Sequence, residues 1–142
     1  MALKTWNLKN MKIIIGPYSM EGFADGDVLV VAHDEQSVTK TIGATGEAAR
    51  AVTNNRAGTI TVSLMQTSHV NAQMSALNVA DESTGSAVVP FLAMDTGGAD
   101  VHIAPHVWLN KSPDATYGRD VGRNTYVFDT GDLSSFLGGS TI

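Results

Sequence analysis

The 142-residue sequence predicts a mainly β protein with one helix: a β-sandwich or barrel-like subunit carrying that helix on its flank. Three observations predict it. Residues 37–42 and 59–65 alternate small hydroxyl and aliphatic side chains with the period of a strand. Only residues 67–80 place apolar side chains at helical spacing, and the other apolar runs end on Gly, Pro, Asp or Ser. Strands, then a helix, then strands is the order expected when a helix covers one face of a folded sheet.

Length and composition bound the answer. A chain of 142 residues is expected to form one domain, residues 1–142, burying roughly 68–70% of its unfolded surface. Apolar residues make up an ordinary 43%, but charged residues only 16% against a typical ~25%. The chain is therefore not of the disordered, highly charged kind. A sparsely charged surface suits either a neutral Ser/Thr-rich monomer or a subunit buried against copies of itself. A net charge of −5 speaks against gripping nucleic acid through its phosphates. The absence of cysteine removes disulfides, thiolate nucleophiles and zinc-thiolate sites. No run approaches the ~20 apolar residues of a membrane span, and residues 1–12 lack the apolar core of a signal peptide, so a soluble product of cytosolic synthesis is expected, with no membrane partner.

Residues 1–12 hold Lys4, Lys9 and Lys12 and no acid, and read as an N-terminal arm or a frayed end. Residues 11–18 form a strand stopped at Gly16-Pro17, because proline cannot donate to a ladder. After a turn at residues 22–26, the run DVLVVAH at 27–33 is short and almost wholly apolar, the pattern of a strand buried on both faces.

The next two strands carry the clearest pattern. Ser37, Thr39 and Thr41 fall on one face with Val38 and Ile42 on the other; Thr59, Thr61 and Ser63 likewise alternate with Ile60, Val62 and Leu64. Paired as an antiparallel hairpin, the two rows would join into one neutral hydroxyl surface behind a buried sheet; an ordinary solvent-facing sheet is the other reading. The intervening residues 43–58 (GATGEAARAVTNNRAG) are long for a connection between adjacent strands. Their alanine-rich centre, 47–52, reads as a possible helical turn, and Arg50 and Arg56 are the only basic residues between Lys40 and Lys111. Such a segment is either an arm reaching an acidic neighbour or a floppy loop.

In residues 67–80, Thr67 or Ser68 caps the helix, and Val70, Met74 and Leu77 form its apolar stripe. Residues 81–86 end it. Further strands are expected at 87–94, 99–110 and 124–130.

Chemistry is thinly represented. His102 and His106, four apart in a strand, would sit on one face roughly 13 Å apart, too far to share a metal unless Pro105 bends the chain. His69 lies in the first turn of the helix, where it packs or caps. The carboxylates Asp25/Asp27, Asp34/Glu35 and Asp81/Glu82 lie in turns, where Asp serves backbone hydrogen bonding. Gly43-Ala44-Thr45-Gly46 lacks the Gly-Lys-Ser/Thr of a phosphate loop, and no nucleophile elbow is present. The sequence thus points to no enzyme, no catalytic residue, no metal and no cofactor.

The opening Thr5-Trp6-Asn7, the stretch KIIIGPYSMEGFADGDVLVVAHDEQSVTKTIGATGEAAR, the helix after TITVSLMQTS and the closing YVFDTGDLSSFLGG resemble the tail tube proteins of contractile-tailed bacteriophages. The resemblance covers most of the chain. It implies a structural virion protein of the phage tail, assembled in the host cytoplasm, that shares its fold with the tubes of pyocin-like particles and type VI secretion systems. Six copies would join into a ring, and rings would stack into a tube whose β-lined channel passes double-stranded DNA without specific binding, with tail sheath and baseplate proteins as partners. Ser37, Thr39, Thr41, Thr59, Thr61 and Ser63 would then face the channel. The long loop, with Gly43, Gly46, Glu47, Arg50, Asn54, Asn55, Arg56 and Gly58, would reach axially to the next ring. The alternatives are a monomeric β-sandwich binding module, a hydrolase built on His102, His106 or the carboxylate turns, and the tube of a secretion or pyocin-like particle.

Overall fold

In the computed structural model, which describes residues 3–139, the elements run β1 Met11–Ile15, β2 Tyr18–Ser19, β3 Leu29–His33, β4 Val38–Ile42, β5 Ala48–Val52, β6 Gly58–Met65, α1 Val70–Thr84, β7 Val89–Asp95, β8 Val101–Lys111, β9 Arg123–Thr130 and β10 Ser134–Phe136. Eight strands form an antiparallel sheet in the order β2-β1-β7-β8-β9-β6-β3, with β10 added to β8, while β4 and β5 form a separate pair. The sheet ends at β2 and β3, which do not pair with each other, so it is not closed into a barrel. No helix among the described residues is long and apolar enough to cross a membrane.

The long strand β8 divides the sheet. Its first residues pair with β7 (Phe91 opposite Ala104) and with β10 (Ser135 opposite His102), and its last pair with β9 (Leu109 opposite Phe128). Between Ala104 and Val107 the register against β7 slips by one residue, at Pro105-His106. A proline without an N–H and an extra residue are the ingredients of a bulge, which bends and twists a strand. Both halves contribute to one core: Ile13, Phe91 and Ala104 from one, Ile60, Val62, Leu109 and Phe128 from the other, with Val70, Met74 and Leu77 from α1. The expected mainly β fold with one flanking helix is what the chain adopts.

Helix α1 buries the predicted stripe, Val70 and Met74 completely and Leu77 almost so. Ser68 serves its start: its hydroxyl accepts the Val70 N–H at 3.3 Å and donates to the Glu21 carbonyl at 2.7 Å. The helix begins later and ends later than its sequence pattern suggests. Residues 81–84 remain helical because the Asp81 carboxylate reaches forward to the Ala87 N–H, leaving Gly85, at φ 67°, to make the left-handed exit. Asn71 anchors the first turn to the sheet. Its amide donates to the carbonyls of Met65 and Ser68, and its oxygen accepts from the Tyr126 hydroxyl at 2.8 Å. Burial pushes the Tyr126 phenol above its ordinary pKa.

Four expectations are corrected. β3 is an edge strand, paired only with β6, and it is not buried on both faces: Leu29 and Val31 pack on the core, while Val30 shares the outward face with Thr61 and is half-exposed. Residues 48–52 are a strand and not a helical turn: β5 folds back on β4, with Lys40 opposite Arg50. The two hydroxyl rows therefore do not pair with each other, since β6 lies between β3 and β9. The proposed N-terminal arm of residues 1–12 is shorter than expected. Residues 1–2 lie outside the described residues, Asn7 caps a short 3-10 turn at Leu8–Asn10, and Met11 and Lys12 belong to β1.

Candidate assembly surfaces

The β4–β5 hairpin has every residue of both strands exposed. Its turn uses Gly43, Gly46 and Glu47. The Gly43 N–H donates to the Glu47 carbonyl at 2.7 Å, and Gly46 takes φ 90°, a conformation that glycine adopts without strain. Register gives the hairpin two unlike faces. Val38 and Val52, Lys40 and Arg50, and Ile42 and Ala48 are opposed on one; Thr39 and Ala51, and Thr41 and Ala49, on the other. At the base, the Thr53 N–H donates to the Ser37 carbonyl and the Thr53 hydroxyl to Glu35.

Beyond β5 the chain is tied to the body. Asn55 accepts the Ala57 N–H, and Asn54 is exposed beside it. Arg56 bonds Asp132 at 2.9 Å and the Ser134 hydroxyl at 2.8 Å. Gly58 is buried at the start of β6. Of the eight residues proposed for ring stacking, Gly43, Gly46, Glu47 and Arg50 thus sit on the projecting hairpin, Asn54 and Asn55 on its connector, and Arg56 and Gly58 against the body.

The outward face of β6 carries Thr59 and Thr61, half-buried, opposite the core residues Ile60 and Val62. Ser63 is covered and shares a hydrogen bond with Thr125 at 3.3 Å. Thr61 lies between Val30 and Val127, and Thr59 between Ala32 and Asp129. Asn110 donates to Asp129 at 2.6 Å and Thr59 to Asp34 at 3.2 Å. Among the described residues two cations stand on this face, each engaged: Lys111, opposite Val127 in the cross-strand row of Thr61, with Asp114, and Arg123, opposite Met65 at the end of β6, with the carbonyls of Asp25 and Asp27. Around Thr59 the face is neutral to acidic. Ser37, Thr39 and Thr41 lie apart from it, on the hairpin.

A third surface is a groove of about 430 Å³ between the N-terminal segment and β3, with Trp6, Leu8, Val28, Val31 and Leu137 on its walls. Asp27, Asp100 and His102 also line it.

The histidines do not converge. The bulge at Pro105 separates His102, whose Nδ1 lies 2.9 Å from the Ser135 hydroxyl, from the exposed His106. Burial holds His102 below its ordinary 6.5, against the raising effect of Asp100 and with a smaller lowering effect from His33. His69 pairs with Glu21 at 2.8 Å, both largely exposed. Among the described residues no three His, Asp or Glu side chains gather in metal-binding range. The paired carboxylates do turn and anchoring work: Asp25 accepts the Gly26 N–H, Glu35 accepts Thr53 and Glu82 accepts Asn78.

Residues 15–138 match the family model described as the bacteriophage PhiTE tail tube protein. No match was found among curated proteins. Several solved structures share the fold. The cap that terminates the tube of the anti-feeding prophage is 14% identical at a TM-score of 0.65, covering 96% of this chain and 94% of its own. A chain of the gene transfer agent virion is 9% identical at 0.61, covering 94% and 100%. A chain from the PVC sheath–tube complex of an extracellular contractile injection system, in its extended state, is 8% identical at 0.58, covering 92% and 90%.

Proposed function

The chain belongs to the bacteriophage tail tube family and is a structural protein of the virion tail; from that premise we propose that six copies close into a ring, that rings stack into a tube, and that the tube conducts double-stranded DNA. Ring closure uses surfaces related by rotation, and stacking uses axial contacts that do not close. The β4–β5 hairpin supplies the axial contact, and the exposed edge of β3 is covered by the neighbouring copy. Thr59 and Thr61 line the channel, together with the hairpin row Ser37, Thr39 and Thr41, while Ser63, covered, lies beneath that surface against Thr125. Assembly takes place in the host cytoplasm, and sheath and baseplate proteins meet the outside and the end of the tube.

The observation that carries this reading is the hairpin. All ten strand residues are exposed, and three of them are the aliphatics Val38, Ile42 and Val52. An isolated two-stranded hairpin is marginal in water, so one that contributes nothing to its own core is suited to a surface on another copy. The wall chemistry fits passive conduction. DNA carries about one charge per 1.7 Å, so a basic lumen would hold it through counterion release, whereas a neutral to acidic one lets it slide. Replacing residues 38–52 with a short Gly/Ser linker tests the hairpin's role. The expected product is folded protein that forms rings or single subunits without tubes; tubes of normal length from this variant contradict it.

A further inference from the structure

Two apolar surfaces of this chain lack a cover, and their charges are complementary. On the hairpin, Val38, Lys40 and Ile42 follow one another along one face of β4, with Val52, Arg50 and Ala48 opposite. At two residues per repeat, this places a cationic pair roughly 7 Å from an aliphatic group on either side. Like charges directly opposed across a ladder destabilise it unless a counter-charge is near. The hairpin's one carboxylate, Glu47, is in the turn. Elsewhere acids prevail, since the whole chain carries −5.

The groove beside β3 has the reverse character. Its walls are apolar, with Trp6 60% and Leu137 76% exposed, and it holds two carboxylates, Asp27 and Asp100. Asp100 accepts the Gly139 N–H, while the Asp27 carboxylate has no hydrogen-bond or ion-pair partner among the described residues. At about 430 Å³ the groove admits the tips of a few aliphatic side chains. Although the hairpin follows directly on β3, none of its residues lines the groove of its own chain.

We propose that the Val38/Ile42/Val52 face of the hairpin seats in this groove on a second copy of the chain, with Lys40 and Arg50 meeting Asp27 and Asp100. Because hairpin and groove are different surfaces, the contact is head-to-tail and repeats from copy to copy. It rests on the tube reading and names the receiving surface that the reading leaves open. Aliphatic burial supplies the favourable free energy, and the carboxylates remove the repulsion between the two cations and fix the register.

The chain's lack of cysteine gives a clean background for cross-linking. The double variant Ile42→Cys with Leu137→Cys is assembled under reducing conditions, checked by electron microscopy for particles, and then mildly oxidised. The expected result on a denaturing gel is a ladder of linked chains, with no ladder from Ile42→Cys paired with Val79→Cys, whose second cysteine is on the exposed face of α1. Assembled particles without the ladder overturn the docking and leave the tube reading standing. A cross-link confined to single chains shows the hairpin in its own groove and also overturns it. Wild-type protein that never assembles removes both. A charge-reversal series gives an independent arm: K40E/R50E, with unchanged thermal unfolding, sediments as subunits, and adding D27K restores assembly. Assembly of K40E/R50E as in the wild type, or failure of D27K to restore assembly lost in K40E/R50E, contradicts the charge pairing.

Discussion

Gly58 packs against Leu133 so closely that a Cβ at residue 58 would lie 2.5 Å from Leu133 Cδ2 and 2.8 Å from the Ala32 carbonyl oxygen. The leucine tip can shift, but the Ala32 oxygen belongs to the adjacent strand β3, whose His33 pairs with Gly58. Glycine is required here by close approach of the backbone, at the point where the connector from the hairpin enters the core.

Gly58→Ala is therefore expected to cost about 1–3 kcal/mol, the range for overpacking a well-filled core. Thermal unfolding of the isolated subunit measures it. Gly131→Ala, where an added Cβ meets nothing within 4 Å, is the control and should unfold within about 0.5 kcal/mol of wild type. Equal stability of the two variants contradicts the packing described.

Protonation of His102 gives a pH dependence with a defined sign. Burial lowers its pKa in the folded chain below 6.5, so around and below that pH the unfolded chain binds the proton more readily. The stability contributed by neutral His102 is complete above pH 6.5 and is lost as the pH falls through the lowered folded value. His102→Gln, which keeps a hydrogen-bonding partner for Ser135, should flatten this part of the stability profile, as read by urea unfolding at a series of pH values. An unchanged slope would show that other groups dominate.

The channel assignment makes a separate demand. Thr61 is half-buried on the outward face of β6 between Val30 and Val127, with no cation among its cross-strand neighbours. Thr61→Lys should leave assembly intact and slow DNA ejection, most strongly at low salt, where counterion release is worth most. Ejection at the wild-type rate from particles carrying this variant places Thr61 away from the channel.

Much of the fold is legible in the sequence where a pattern is set by its own residues. Val70, Met74 and Leu77 recur at helical spacing and are buried; Ile60, Val62 and Leu64 alternate with Thr59, Thr61 and Ser63 and fill the core. The misreadings lie where structure depends on partners distant along the chain. The run LVVAH is apolar whether central or terminal, and only the order of strands makes β3 an edge. The run AARAV has no polar alternation and an alanine bias toward helix; the turn at Gly43–Gly46 makes it a strand by presenting β4 as its partner. The same dependence separated the two hydroxyl rows. Each was visible as a row, but nothing local says that one belongs to a projecting hairpin and the other to the main sheet. The anchoring role of Asn71 is equally non-local, because its partners Tyr126 and Asn124 come from β9.

Electron microscopy of the purified protein is the decisive experiment for the proposed self-assembly into a hollow tube. Six-fold rings and stacked hollow tubes are expected; fields containing only isolated particles of a single 14.9 kDa subunit, at concentrations well above those found in cells, would rule the tube out.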